Sequence, residues 1–432
     1  MNEPVLKTLA NGLRLVLAPC EAESVAVGVF VASGSRHETA KTAGISHFIE
    51  HMLFKGTPTR SPLAITRAIE GRGGNFNACT GEESTAYFCH LPDEYLDEAV
   101  DILADMYLNA SIPDDEFARE KQVVVDEIRM YADEPDSVAM ENLQRNLFPT
   151  SQLGAPVAGG ERSLAPMRPV DLRRYVKSHY RSDNTVVVIT GAIDEARATA
   201  CVERAFAGLP RARSRGKTAA EDHGKVVAAA VVAKPGIQQA QLALGYRTFG
   251  VGDRRKYAAT VLDAVLGRGM MSRLFQELRE KRGISYDISS RMQLFRDAGM
   301  FVISAGLDPA KRETAMKVVD REIRRICERR VGAAELGRTK EFLLGNFRLA
   351  HEKMTSKLFY WGSTMLSFGR LVPSPSRSTA SAAFPPRTCR PSPGRSSRPA
   401  TAASAGSCRN RQPYRELNSQ FMSTSNAWQK QR

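Results

Sequence analysis

Hydrophobic positions along this chain switch between a period of two and a period near 3.6, which predicts strands and helices in mixed order. Residues 13–18 and 25–32 are apolar runs of strand length, and Asn11-Gly12 gives a turn before the first. Residues 43–54 carry apolar positions at helical spacing and stop near Lys55-Gly56. Residues 75–80 and 84–90 read as extended. Pro92-Asp93 then opens a helix with Leu96, Ala99, Leu103 and Met106 on one stripe, and Pro113 opens another that reaches about Tyr131. An amphipathic helix over 171–179 leads into Thr-Val-Val-Val-Ile-Thr at 185–190, a buried strand.

Two shifts of composition divide the chain. Residues 211–225 are polar, charged and glycine-containing and read as a linker. They separate a first domain, 1–210, from a second, 226–372. From 373 to 432 the text becomes rich in Pro, Ser and Arg, with almost no aliphatic residues and no period. Such a segment buries too little apolar surface to offset its chain entropy, so disorder is expected. It reads as an out-of-frame translation.

The two halves also repeat each other. Glu116–Ile128 aligns without gaps with Glu335–Phe347, with Glu, Arg and Lys coincident and the apolar positions matched. The repeat predicts a duplicated α+β unit, that is, an α+β fold built from two related domains. The first half ends in helix, turn and buried strand. The second reaches the foreign tail before any such ending, so its final helix and strand are expected to be missing.

Composition narrows the function classes. The chain has 432 residues, 42% hydrophobic and 25% charged, which is globular. Its longest apolar runs are eight residues, too short for a membrane span of about 20. The N-terminus has no basic segment followed by an apolar one, so no secretory signal is expected and a cytoplasmic location is. Seven scattered cysteines without a C-x-x-C pair read as reduced thiols. The net charge of +14 suggests nucleic acid at first sight. Yet residues 373–432 hold ten Lys or Arg against one Glu, while the other 372 residues hold 51 basic and 46 acidic side chains. A tail with few aromatics and no recognition module gives no specific nucleic-acid site.

The sharpest chemistry is His47-Phe48-Ile49-Glu50-His51. On a helix, His47 and His51 lie one turn apart and face one way, so both imidazoles reach one divalent metal. Glu50 lies on nearly the same face, while Ile45, Phe48, Ile49, Met52 and Leu53 supply the buried side. This is an H-x-x-E-H arrangement, the inverted zincin motif. A helix with two incidental histidines is the plain alternative, and the interposed Glu argues against it. A catalytic zinc needs a third protein ligand. The helix over 113–131 offers Glu120 and Glu127, two turns apart on one face. Their partners in the repeat are Thr339 and Asn346, and the second half has no H-x-x-E-H.

With these residues the sequence resembles the pitrilysin/insulinase family of zinc peptidases, and most closely its processing-peptidase-like members. The resemblance spans about residues 5–372 and rests on 43–57, 73–80, 120–127 and 274–286. It implies one zinc per chain held by His47, His51 and Glu127, with Glu50 as the general base that activates water. It implies that Glu120 supports the site. Arg279 and Tyr286 match a pair that serves the active site from the second domain, and the strand at Asn77, Ala78 and Thr80 matches a place where substrate adds to a sheet edge. The implied fold has two related α+β domains, each a mostly antiparallel sheet covered by helices, facing each other across a cavity. The implied activity is endopeptidase cleavage of extended or unfolded polypeptides, and the implied assembly is a homodimer. The alternative within the family is a non-catalytic, substrate-presenting subunit. An intact H-x-x-E-H argues against it, and the truncated second domain argues for it.

Overall fold

The computed structural model describes residues 3–211, 226–227, 230–232, 236, 238–372 and 400–404. The chain opens with β1 (Val5–Thr8), β2 (Arg14–Pro19) and β3 (Ser24–Val31). Helices α1 (Ile45–Leu53) and α2 (Pro62–Glu70) precede a hairpin of β4 (Asn75–Thr80) and β5 (Thr85–Pro92). Then come α3 (Leu96–Asn109), α4 (Asp114–Asp133) and α5 (Pro135–Leu147). The short α6 (Glu161–Leu164) and α7 (Pro169–His179) lead to β6 (Thr185–Gly191) and α8 (Glu195–Ala205). Beyond the linker lie β7 (Ala230–Val232), β8 (Ala240–Phe249), α9 (Lys256–Leu266), and a π turn at Phe275–Glu280. The hairpin of β9 (Ser285–Leu294) and β10 (Ala298–Leu307) follows, then α10 (Arg312–Glu328), α11 (Ala333–Glu352), α12 (Met354–Phe368) and β11 (Ala400–Ser404).

These elements form two compact units that exchange segments. The first comprises Met1–Arg129, Ala155–Thr218 and Arg348–Pro373; the second comprises Met130–Gly154, Ala219–Phe347 and Ser374–Arg432. So α5 belongs to the second unit and α12 to the first, although the sequence division at the linker places each with the other half. The linker itself, apart from Arg211, lies outside the described residues.

The first unit's sheet has six strands in the order β1-β2-β6-β3-β5-β4. The β2–β6 pair is parallel and the other neighbours are antiparallel. Alternation explains why β6 is apolar at nearly every position. Val187 and Ile189 join the core beneath α1, α3 and α8, while Val186 and Val188 meet Leu358, Trp361 and Met365 of α12 on the other face. A strand covered on both sides has no solvent-facing register.

The second unit repeats this plan in the order β7-β11-β8-β10-β9, strand for strand the equivalent of β2-β6-β3-β5-β4. Here α9 and α10 cover one face and α5 the other, with Leu143 and Leu147 against Ala243, Met300 and Val302. The glycines Gly28 on β3 and Gly245 on β8 let these helices approach. A Cβ at Gly28 would stand 2.9 Å from Leu358 and one at Gly245 2.8 Å from Leu143.

One expectation is corrected here. The second sheet does not lack its closing strand: β11 pairs parallel with β7 and antiparallel with β8, as β6 does with β2 and β3. A strand ladder is made by backbone groups, so Ala-Thr-Ala-Ala-Ser takes the place without any apolar period to announce it. Among the described residues the second unit has no counterpart of α7. The rest of 373–432 lies outside the described residues. Among the described residues no helix is long and apolar enough to cross a membrane.

Candidate metal centre

The site is built from two helices of the first unit and one edge strand. Helix α1 begins at Gly44, whose φ of +93° suits only glycine without strain and whose Cβ would lie 2.5 Å from the Ala158 carbonyl. The buried Glu38 carboxylate caps this start, accepting from Gly44 N at 2.7 Å and Ser46 N at 2.8 Å. Two of the free N–H groups of the first turn are thereby satisfied. Ile45, Phe48, Ile49, Met52 and Leu53 are buried in the core, which turns His47, Glu50 and His51 to the opposite side. Helix α4 crosses that side with Phe117 and Val124 buried.

Contacts between the two helices form an antiparallel ladder. Glu127 Oε2 lies 3.6 Å from His47 Nε2 and 3.4 Å from His51 Nε2. Two turns back along α4, Glu120 Oε1 bonds His51 Nδ1 at 2.9 Å, and Glu120 Oε2 meets Lys55 Nζ at 2.5 Å. One donor atom from each of His47, His51 and Glu127 lies within 4.8 Å of the other two.

These spacings fit a tetrahedral divalent ion. Zinc bonds of about 2.0–2.1 Å put neighbouring ligand atoms about 3.3–3.4 Å apart, whereas a carboxylate hydrogen-bonded to imidazole would sit at about 2.9 Å. The donor set is also chemically suited. Burial, and then the adjacent His51, push the His47 imidazole down to about 4 against the pull of Glu127. Its ring is therefore neutral at neutral pH, as a metal ligand must be. His51 has its outer nitrogen supported by Glu120. The outer nitrogen of His47, Nδ1, is buried without a hydrogen-bond partner.

Glu50 stands beside this cluster on α1. Thr80 Oγ1, at the end of β4, donates to Glu50 Oε2 at 2.5 Å. Burial raises the Glu50 pKa, and the Thr80 hydrogen bond partly opposes it. For Glu120 burial also pulls upward, but the bonds from Lys55 and His51 outweigh it and hold the carboxyl below its ordinary range.

The other sequence candidates are placed as follows. Asn77, Ala78 and Thr80 lie on β4, the edge strand of the first sheet. Asn77 is exposed, Ala78 packs against the core and Thr80 engages Glu50. Arg279 and Tyr286 belong to the second unit, where the Arg279 guanidinium sits 4.8 Å from the rings of both Tyr286 and Phe275. Tyr286 is 77% exposed. Sequence reasoning took Lys55 as part of a helix stop. Its spacing, four residues beyond His51, is the signal that would have placed it on the same face.

The counterpart helix α11 is 20 residues long, like α4. Thr339, in the place of Glu120, donates to the Glu335 carbonyl of its own helix at 2.8 Å.

Comparison with known proteins gives two adjoining family matches along the chain. Residues 15–161 match the family model "Insulinase (Peptidase family M16)", and residues 168–343 match "Peptidase M16 inactive domain". An uncharacterized zinc protease of Bacillus subtilis, YmxG, is 34% identical over 84% of this chain and 88% of its own length. An uncharacterized zinc protease of Rickettsia felis is 32% identical over 85% of this chain and 89% of its own. In fold, the chain matches a protease from Helicobacter pylori with a TM-score of 0.79 at 20% identity, covering 94% of this chain and 99% of that one. It matches a peptidase M16 inactive domain from Pseudomonas fluorescens with a TM-score of 0.81 at 19% identity, covering 95% and 100%.

Proposed function

The chain belongs to the insulinase family of peptidases, M16, and on that premise we propose that it is a zinc metalloendopeptidase acting on extended or unfolded polypeptides. The observation that carries the reading is the convergence of His47, His51 and Glu127 with Glu50 beside them. His47 and His51 would hold zinc through Nε2 and Glu127 through a carboxylate oxygen. Bound zinc supplies a Lewis acid that polarises the scissile carbonyl and makes water nucleophilic near neutral pH.

The remaining work falls to side chains. Glu50 takes a proton from the attacking water and delivers it to the leaving amine, a role suited to a carboxylate whose pKa is raised by burial. Thr80 keeps the Glu50 carboxylate turned towards the site. The outer edge of β4, the last strand of its sheet among the described residues, accepts the substrate backbone as an added strand at Asn77 and Ala78. That mode of binding requires an extended segment, so flexible chains are cleaved and folded ones spared. Arg279 and Tyr286 are assigned to the substrate backbone and the oxyanion on family resemblance. A homodimeric state is proposed on the same ground, and light scattering measures it.

The reading is tested by cleavage of an unstructured peptide before and after chelation. Activity that chelator removes and zinc restores supports it. Cleavage unaffected by chelation would sink it.

A further inference from the structure

We propose that Lys55 is a positioning residue of the metal site, acting through Glu120 on His51. The proposal rests on reading His47, His51 and Glu127 as the zinc ligands. Lys55 lies four residues beyond His51, just past the end of α1, so both side chains reach α4 from one face. Each takes one oxygen of the same carboxylate: His51 Nδ1 lies 2.9 Å from Oε1 and Lys55 Nζ 2.5 Å from Oε2.

The division of oxygens matters. The last torsion of a Glu side chain is soft, so a carboxylate held by one partner swings about that bond. Glu120 is 8% exposed, and little water is there to hold its second oxygen. The Lys55 ammonium fills that role and fixes the carboxylate plane. With the plane fixed, Oε1 keeps the proton of His51 on Nδ1 and leaves the Nε2 lone pair facing His47 and Glu127. The same clamp sets the register of α4 against α1, and Glu127 is two turns from Glu120 on that helix.

Two mechanisms predict opposite signs. As a bare charge near the site, Lys55 repels a divalent cation, and its removal would tighten zinc binding. As the clamp on Glu120, its removal weakens zinc binding.

The test is zinc affinity, read by competition with a chromophoric chelator on the full chain. Wild type, Lys55→Met, Lys55→Gln, Lys55→Arg, Glu120→Gln and the Lys55→Met/Glu120→Gln double variant are compared. Loss of an outer-shell partner costs typically 10–100-fold in metal affinity. Lys55→Met and Lys55→Gln should each weaken zinc by about tenfold, and Lys55→Arg should recover most of it. In the Glu120→Gln background, Lys55→Met should change nothing. Unchanged or tighter binding in both Lys55→Met and Lys55→Gln overturns the proposal, as does an equal loss with and without Glu120. Unfolding midpoints of the metal-free proteins separate a lost clamp from a lost fold, and Lys55→Arg reports the clamp even if both neutral variants fold poorly. A wild type without measurable zinc affinity would sink the metal-site reading itself. A wild type that binds zinc alongside neutral variants that bind equally well sinks only the role of Lys55.

Discussion

Thr80 Oγ1 donates a 2.5 Å hydrogen bond to Glu50 Oε2, so the last residue of the edge strand β4 is tied to the motif helix α1. A hydrogen bond to a charged group is worth about 1.5–3 kcal/mol. If the Glu50 base depends on that bond for its aim, Thr80→Val lowers kcat on an unstructured peptide by about tenfold or more. Zinc content should stay unchanged, because Thr80 touches no proposed ligand. Thr80→Ser should restore most of the rate. Full activity in Thr80→Val would mean that Glu50 is aimed by its own helix alone.

Arg279 and Tyr286 sit together in the second unit, with the guanidinium against the exposed Tyr286 ring. Loss of a single oxyanion donor typically costs about 100-fold in kcat. Arg279→Ala and Tyr286→Phe should each lower peptide cleavage within that range while zinc content holds. Tyr286→Phe should leave the unfolding midpoint in place, since its hydroxyl is not part of the core. Wild-type kinetics in both variants would remove the pair from the mechanism.

Asp263 on α9 gives a pH signature unrelated to the metal. It is buried, and Ser290 Oγ donates to it at 2.6 Å. Burial, against that bond, raises its pKa from an ordinary 3.8 to about 6. Between those values the folded chain holds a proton that the unfolded chain has released. Stability from this group is therefore full below about pH 4 and is lost as pH rises through about 6. The loss is about 2–3 kcal/mol. Asp263→Asn should flatten the stability profile between about pH 4 and pH 6 and raise the unfolding midpoint at neutral pH. The same slope in both proteins would contradict the assignment.

Much of this arrangement is legible in the sequence. The strands at 75–80 and 185–190 are marked by their own residues, and β4 begins and ends as expected. His47, Glu50 and His51 declare themselves because helical spacing alone brings them together. Spacing along 113–131 offers Glu120 and Glu127 and the family resemblance assigns their roles, but the crossing of α4 over α1 that brings them to the histidines is set by tertiary packing. The ladder's third rung was missed because Lys55 lies beyond the last helical residue and looks like a surface charge. The exchange of α5 and α12 leaves no local mark, since both are ordinary amphipathic helices whose partners are set by tertiary packing. Strand β11 was missed because a backbone ladder asks little of its side chains.

The exchange has a testable cost. Leu358 on α12 is fully buried against the first sheet, over Gly28. Leu358→Ala should destabilise the protein by about 2–5 kcal/mol, as core truncations do. Chemical unfolding measures it. A change below about 0.5 kcal/mol would place Leu358 at the surface.

The central claim is that His47, His51 and Glu127 hold zinc and that Glu50 beside them is the base. Zinc per chain, measured together with cleavage of an unstructured peptide in wild type, Glu50→Gln and His51→Ala, tests it most directly. The account predicts about one zinc in wild type and in Glu50→Gln, with cleavage in the variant reduced by about 100-fold or more. It predicts neither zinc nor cleavage in His51→Ala. Full zinc occupancy in His51→Ala, or near-normal cleavage by Glu50→Gln, would contradict it.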